Sequence, residues 1–587
     1  MKLKKKINWQ LIMFSLFLLS QTNVYCQILN RNPGPDEKFA NYCIMFNNYN
    51  EGLAEYLKLI TDDSNNVTYR HNIGICHLNL NENKTLAIPY LEWVTEQKKF
   101  ENKAWYDLGR AYSYVYKFDS AIKAFEKYIK GLNGIDDTEK ITARRRIEMC
   151  ENAKIAIQNP INVTIENLGD KINSKYPDYN AYIPQDESMV LFTSQRRGNI
   201  GNYINLDGYI TADIYQTVYK SGDWKKVKRF TPIINSQLVE ELVGMTADGS
   251  RLFLYFDNFV GKQDLFISQK RGKGYLKAEN AGINVNTEQV ESAAAMNRDK
   301  SILYFSSDRE GGIGGKDIYF ATKMPDGSWA EAKNLGNIIN TEFDDDFPYL
   351  GPDGKTLYFS SVGHNSMGDY DLFKSVWDNE TKSWTKPINV GYPVNSPEDN
   401  KTISITSSGR HAYISALRKG GVGNLDIYRV TFNDVDPTYS VMKGGIFNID
   451  SLDAVELHRE KVNEADSVNT ILYSKAAKYY SRRDSAKGNE ILEDLIKIDR
   501  NFIAKITVYD KRTESVFGNY SSNRYNAKYA IVLPPGDYKI VFKAYDYNDY
   551  VIDNVHITDR DSRDTFIIKQ ILLESENDEK YNKDDWE

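Results

Sequence analysis

The sequence has little cysteine, four residues in 587. Disulfides therefore cannot be its main staple, and without a C-x-x-C pair neither a zinc knuckle nor a thioredoxin-like site has support. It lacks an excess of positive charge, because 74 Lys and Arg stand against 81 Asp and Glu, a net of −7. No nucleic-acid partner is expected, since phosphate binding needs a basic stripe. Beyond the N-terminus no segment approaches 18 uncharged apolar residues, so no transmembrane span is expected either. Histidine is scarce: His71, His77, His364, His411, His458 and His556 form no H-E-x-x-H. G-x-S-x-G and G-x-x-x-x-G-K-[ST] are also missing. These gaps remove the common local motifs of zinc proteases, serine hydrolases and P-loop NTPases. No cofactor and no metal is expected, and the chain is read as not an enzyme.

What is present is a normal globular mixture, 41% hydrophobic and 26% charged. Aromatics reach 13%, with 41 Tyr, which favours pleated, half-buried surfaces and a β-rich bulk. The length allows roughly three or four domains of about 150 residues. Lys2, Lys4, Lys5 and Lys6 precede a short apolar run from Leu11 to Leu19, the pattern of a secretory signal peptide over 1–26. A cut after Cys26 puts Val24 at −3 and removes four lysines and no acid, so a chain at −7 becomes −11. The rival is lipidation at Cys26, which Tyr25 opposes because lipoprotein processing wants a small residue there.

A period of 34 residues relates Leu57, Leu91 and Phe125, and also Leu53, Ala87 and Ala121. The best unit is Trp105-x-x-Leu108-Gly109-x-x-Tyr112, then Ala121-x-x-x-Phe125. Small Gly109 and Ala121 let two helices approach, and Trp105 and Phe125 fill the seam. This resembles the tetratricopeptide repeat (TPR). Gly74 and residues 37–59 give weaker copies, and 139–157 reads as a capping helix, so a stacked α-solenoid is expected over 37–157. Such a stack binds a peptide or another domain, or only packs on its neighbour. Cys43, Cys76 and Cys150 fall on these helices, as buried thiols or with one disulfide among them.

From 160 to 434 a second period runs. Leu303-Tyr-Phe-Ser-Ser307, a glycine loop and Asp317-Ile-Tyr319 make the clearest unit. Counterparts end in Asp213-Ile-Tyr, Asp264-Leu-Phe, Asp371-Leu-Phe and Asp426-Ile-Tyr, and the aspartates are spaced 51, 53, 54 and 55 residues apart. Short strands at a period near 50 indicate a β-propeller. Segments Asn280 to Asn286, Asn334 to Asn340 and Asn389 to Asn395 follow three units as N-x-G-x-x-x-N, and the fifth unit lacks one. A matching copy, Asn167 to Asn173, stands before the first unit. The N-terminal strand is therefore expected to complete the last blade and seal two sheet edges. Five blades are expected, with six as the alternative if strands hide in 195–212. The units resemble the WD40-like PD40 repeats of TolB-like periplasmic propellers. Asp213, Asp264, Asp317, Asp371 and Asp426 are expected to be structural, their carboxylates accepting backbone N–H groups of the preceding loop. Calcium in the Asp308 to Asp317 loop, or beside Asp344, Asp345 and Asp346, is the rival.

Residues 440–570 begin with a strand near Lys443, read helical over about 452–499, and return to strands from Ala504. The run Leu533-Pro-Pro-Gly-Asp-Tyr-Lys-Ile-Val-Phe542 resembles the carboxypeptidase-regulatory-like β-sandwich, here with a helical insert. Residues 574–587 form an acidic tail. The expected fold class is a multidomain α plus all-β chain: TPR solenoid, five-bladed propeller, β-sandwich. That order resembles PorE-type envelope proteins of Bacteroidota, which are linked to type IX secretion and gliding, without their OmpA-like C-terminal domain. The resemblance implies a non-enzymatic periplasmic scaffold at the outer membrane, with protein partners such as a β-barrel. One alternative is a glycan or peptidoglycan-fragment binder using Trp377 and Trp384 as platforms. Another is a propeller hydrolase drawing on Asp308, Glu310, Asp344 and Asp345.

Overall fold

The computed structural model describes residues 34–80, 83–132, 137–185, 187–201, 203–220, 223–257, 263–436, 439–448, 450, 452–557 and 567–574. The expected signal peptide, Cys26 and nearly all of the acidic tail lie outside these. The chain divides into two compact units, Met1–Val435 and Asp436–Glu587.

Among the described residues the first unit opens with seven α-helices, α1 Glu37–Met45, α2 Tyr49–Asp62, α3 Val67–Asn79, α4 Ala87–Thr95, α5 Lys103–Tyr114, α6 Phe118–Gly131 and α7 Asp137–Gln158, with a 3-10 turn Lys84–Leu86 leading into α4. Each packs on the next. Asp36, Asn48 and Asn66 cap the first three through side-chain oxygens that accept backbone N–H groups. Gly109 is where the seam is tightest. A Cβ there would sit 2.6 Å from the Phe125 ring, so only glycine lets α5 and α6 close on that ring. Ala121 and Phe125 are fully buried, and Trp105 lies beneath Lys127, whose Nζ is 3.9 Å from the ring centre. Cys43, Cys76 and Cys150 are buried. Cys76 and Cys150 are free thiols, both pushed up to about 12 by burial.

Five antiparallel sheets follow, with innermost strands Asp178–Tyr182, Val239–Met245, Glu291–Met296, Asp345–Leu350 and Ile403–Ile405. Each sheet packs on the next. Leu242 N–H donates to Thr193 Oγ1 between the first and second, and Ser292 Oγ donates to Asp346 between the third and fourth. Gly244 lies so close to the Ala294 carbonyl that a Cβ would collide with it, which joins the second sheet to the third. Tyr349 hydroxyl meets the Ile405 backbone, and Ile183 N–H meets Ser404 Oγ, which brings the fifth sheet back to the first. The expected seal is present: Val163–Asn167 runs antiparallel to Asp426–Phe432, with Val163 opposite Phe432 and Asn167 opposite Tyr428. Within 195–212 the described residues contribute one isolated bridge, Ile204 to Ile210, and no further sheet.

Among the described residues the second unit holds two four-stranded sheets. In one, Ser440–Asn448 lies between Lys528–Leu533 and the pair Ile567–Ile568 and Ile571–Leu573. The other runs Ser515–Ser521, Lys505–Asp510, Gly536–Lys543, Tyr550–Ile557. Alternation puts Ile506, Val508, Ile531, Leu533, Ile540 and Phe542 into a common core. Helices α8 Ala454–Ser481 and α9 Ser485–Glu493 intervene between the first and second strands of this unit, where the sequence reads helical. No helix of the described residues is long and apolar enough to cross a membrane.

Candidate functional site

Four of the five repeat aspartates accept backbone N–H groups of the loops that precede them. Asp317 accepts from Ile313 and Gly314 N–H, Asp371 from Met367 N–H at 2.8 Å, Asp426 from Val422 N–H, and Asp213 from Ile200 N–H at 2.9 Å. Asn334, Asn389, Asn167 and Asn280 each donate a side-chain amide to Asp317, Asp371, Asp426 and Asp264 at 2.7–2.9 Å. In the first sheet Arg229 takes that place, its Nε 3.9 Å from Asp213. Burial pushes Asp371 up to about 7 and raises Asp213 and Asp426 above the usual carboxylate range.

The second asparagine of each segment has a role that sequence reading missed. Asn340 accepts from Ile318 N–H at 2.8 Å and donates to the Ile318 carbonyl at 2.9 Å. Asn395 does the same to Leu372, Asn286 to Leu265, Asn173 to Ile427 and Asn235 to Ile214. Each amide copies one rung of a β-ladder onto the residue that follows the repeat aspartate. In four of the five the turn that aims it carries a left-handed glycine, Gly169, Gly282, Gly336 or Gly391, whereas Thr231 makes the corresponding turn before Asn235 without a positive φ. The identical spacing from the first asparagine was the available signal.

The acids singled out for chemistry do not converge. Asp308 accepts from Val290 N–H at 2.7 Å, and Glu310 is exposed. Asp344 takes Lys316 N–H and the Tyr370 hydroxyl, while Asp346 pairs with Lys316 Nζ at 2.9 Å. Asp345 is buried against Thr341 and is raised to about 7. Among the described residues no group of three or more His, Cys, Asp or Glu could hold a metal ion. Trp384 is 7% exposed and packs edge-on to Trp377 at 5.4 Å and to Tyr304 at 6.1 Å. That ring is core between sheets, not a platform.

Side chains do converge where the helices meet the sheets. Arg145 on α7 is 5% exposed, and its guanidinium donates to the Val362, Gly363 and His364 carbonyls and to Ser366 Oγ at 2.7–3.0 Å. Asn152 adds a bond to the Ser366 carbonyl at 3.0 Å, and Met367 enters the apolar cluster of Phe118, Phe125 and Cys150. Beside this clamp, Asp369 pairs with Arg146 and accepts the Tyr114 hydroxyl at 2.6 Å. Burial alone would raise its carboxyl, but Arg146 and Arg110 outweigh burial and hold it at about 2. Lys84 pairs with Glu398 at 3.2 Å, and there burial prevails and raises Glu398 to about 7.

These groups border a cavity of about 560 Å³. Its floor is the ends of the inner strands, including Tyr179, Glu241, Phe347 and Thr402, and its roof is Asn79, Lys84, Arg110 and Tyr114 of the helices. The inner strands carry bulges at Tyr179/Tyr182, Leu242/Gly244, Glu291/Ala294 and Asp346/Tyr349. Asn180 and Phe347 adopt positive φ of 53° and 50° at two of these bulges. Bulges re-aim side chains and bend strands, here at the cavity end.

No family model matches the chain, and no curated protein sequence matches it. Similar solved structures include a glycoside hydrolase, 9% identical with a TM-score of 0.33, covering 48% of this chain and 95% of that one. TolB from Acinetobacter baumannii is 14% identical with a TM-score of 0.28, covering 50% and 70%. A putative TolB from Agrobacterium tumefaciens is 13% identical with a TM-score of 0.28, covering 46% and 91%. At these values the likeness carries no argument about activity.

Proposed function

We propose that this chain is a non-enzymatic scaffold of the bacterial envelope, exported by its N-terminal segment and acting at the outer membrane. TPR-like helices and a five-bladed WD40-like propeller form one rigid platform, and a regulatory-like sandwich follows. The observation that carries this reading is the Arg145 clamp with the Asp369 cluster. It fixes part of the helical surface permanently to the sheets, while the acids that could have served chemistry hold up loops. A type IX secretion or gliding assembly, with a β-barrel as direct partner, is the candidate setting, on the order of the three modules alone.

Proximity labelling by the tagged full chain in cells that produce it tests this. The expected result is enrichment of outer-membrane proteins, a barrel among them, over an exported control of similar size. A labelling profile equal to that of the control contradicts the proposal, as does turnover of peptide or glycoside libraries that is lost on substitution of Asp308 or Asp344.

A further inference from the structure

Helix α8 has one face committed to its own unit and one that is not. Val455, His458, Val462, Ala465 and Ala476 are buried. His458 bonds to the Asp499 carbonyl at 2.7 Å, and Asn469 exchanges two bonds with the Ile496 backbone at 2.9 Å. This face looks into the sandwich and the segment after α9. Helical spacing turns Glu460, Glu464, Ile471 and Lys478 away from it, with Arg482 at the C-cap, and all five are exposed.

The spacing of these five is a palindrome with a change of sign. Glu464 and Lys478 each stand seven residues from Ile471, and Glu460 and Arg482 each stand eleven. Acids lie on one side of Ile471 and bases on the other. The single chain makes no use of them. Among the described residues the ion pairs of α8 are Lys461 with Asp546 and Asp466 with Arg500. Within the helix the four charges are a cost, because Glu460 and Glu464, and Lys478 and Arg482, are like charges four residues apart. The helix dipole does not account for the acids, since its effect fades within the first turn and Glu464 lies ten residues beyond Ala454.

A second copy laid antiparallel on this face resolves the pattern. With a two-fold axis at Ile471, Glu464 meets Lys478 of the second copy and Glu460 meets its Arg482, and symmetry makes each pair twice. A parallel arrangement sets like against like, so the charges select the antiparallel one. Ile471, 55% exposed, meets itself at the axis, with Val468 beside it at 42%. Ser467 and Ser474 flank Ile471 and are small enough to let two helices approach, and Lys475 falls opposite Ser467 rather than opposite another base. We infer that α8 is a homodimer interface in which two copies of this chain pack antiparallel about Ile471. Its ion pairs are exposed, so the dimer is weak and sensitive to salt.

Sedimentation velocity of the full chain over a concentration series tests this. A reversible monomer–dimer equilibrium is expected, weakened about tenfold or more between about 0.05 M and about 0.5 M salt. Glu464→Lys sets like charge against Lys478 and weakens the dimer about tenfold or more, as does Lys478→Glu. The two variants mixed together form a heterodimer, and both substitutions in one chain restore the homodimer. Far-ultraviolet circular dichroism stays unchanged throughout, because these side chains are exposed. A chain that remains monomeric at about 100 µM in low salt overturns the inference. So does a dimer that neither single reversal weakens, or one that the paired reversal fails to restore. The scaffold reading does not depend on this surface and is tested separately, by proximity labelling.

Discussion

Val163 lies opposite Phe432 in an antiparallel pair, although the five sheets separate them along the chain. The pairing gives the fifth sheet a strand drawn from before the first, and no covalent link enforces it. Ile165, facing Val430, packs on the apolar cluster of the inner strands. Ile165→Asp puts a charge on that partly buried face and is expected to destabilise the unit by about 1–3 kcal/mol in urea unfolding. It also speeds amide exchange in Asp426–Phe432. Unchanged protection of that strand contradicts the account.

Asn395 accepts the Leu372 N–H and donates to the Leu372 carbonyl, which also takes the Val390 N–H. Asn395→Ala leaves one buried N–H without its partner, a cost of about 1–3 kcal/mol in urea unfolding. Asn280→Ala, on an exposed first asparagine, costs less than half as much. Equal effects at the two sites show that the second asparagine is not a clamp.

Arg145→Ala removes a guanidinium that satisfies three carbonyls and a hydroxyl. The expected loss is about 3 kcal/mol, and Arg145→Lys recovers only part of it because a point charge cannot reproduce the fork. Hydrogen exchange should rise in 362–367 and in α7 together. A rise in only one of them shows that the clamp does not join helices to sheets.

Burial raises Glu240, Asp345 and Asp371 to about 7, from 4.5 for the glutamate and 3.8 for the aspartates. Between those limits the folded protein keeps protons that the unfolded chain has released. The stability they contribute is therefore full below about pH 4 and is lost as the pH rises through about 7. Asp369, held at about 2, acts oppositely: its contribution is present above 3.8 and is lost as the pH falls toward 2. The melting temperature is expected to fall from pH 5 to pH 8, with part of that slope removed by Asp371→Asn. A flat or rising profile over that interval contradicts these assignments.

Local repeats made much of this architecture legible. Gly109 and Phe125 announce a tight helix seam because a missing Cβ and a large ring at fixed spacing have one economical use. The repeat aspartates and the glycine-bearing asparagine segments announce the sheets, and the stray copy at Asn167 announces the seal. The cavity was not legible, because Lys84 and Arg110 of the helical part come to face Glu241 and Thr402 of the sheets only through packing that no period encodes. Arg145 and Arg146 lie in 139–157, which reads as a capping helix, and nothing local distinguishes the two arginines that turn inward. Trp377 and Trp384 read first as blade packing and only second as binding platforms, and the sequence does not settle it because exposure is decided by the neighbouring sheet.

Hydrogen exchange on the full chain across a denaturant series tests most directly whether helices and sheets of residues 34–435 form one platform. The account predicts that peptides from α5 to α7 and from the five inner strands lose protection at a common denaturant concentration, and that Arg145→Ala separates them. Helical peptides that open at a lower concentration in the unmodified protein would contradict it.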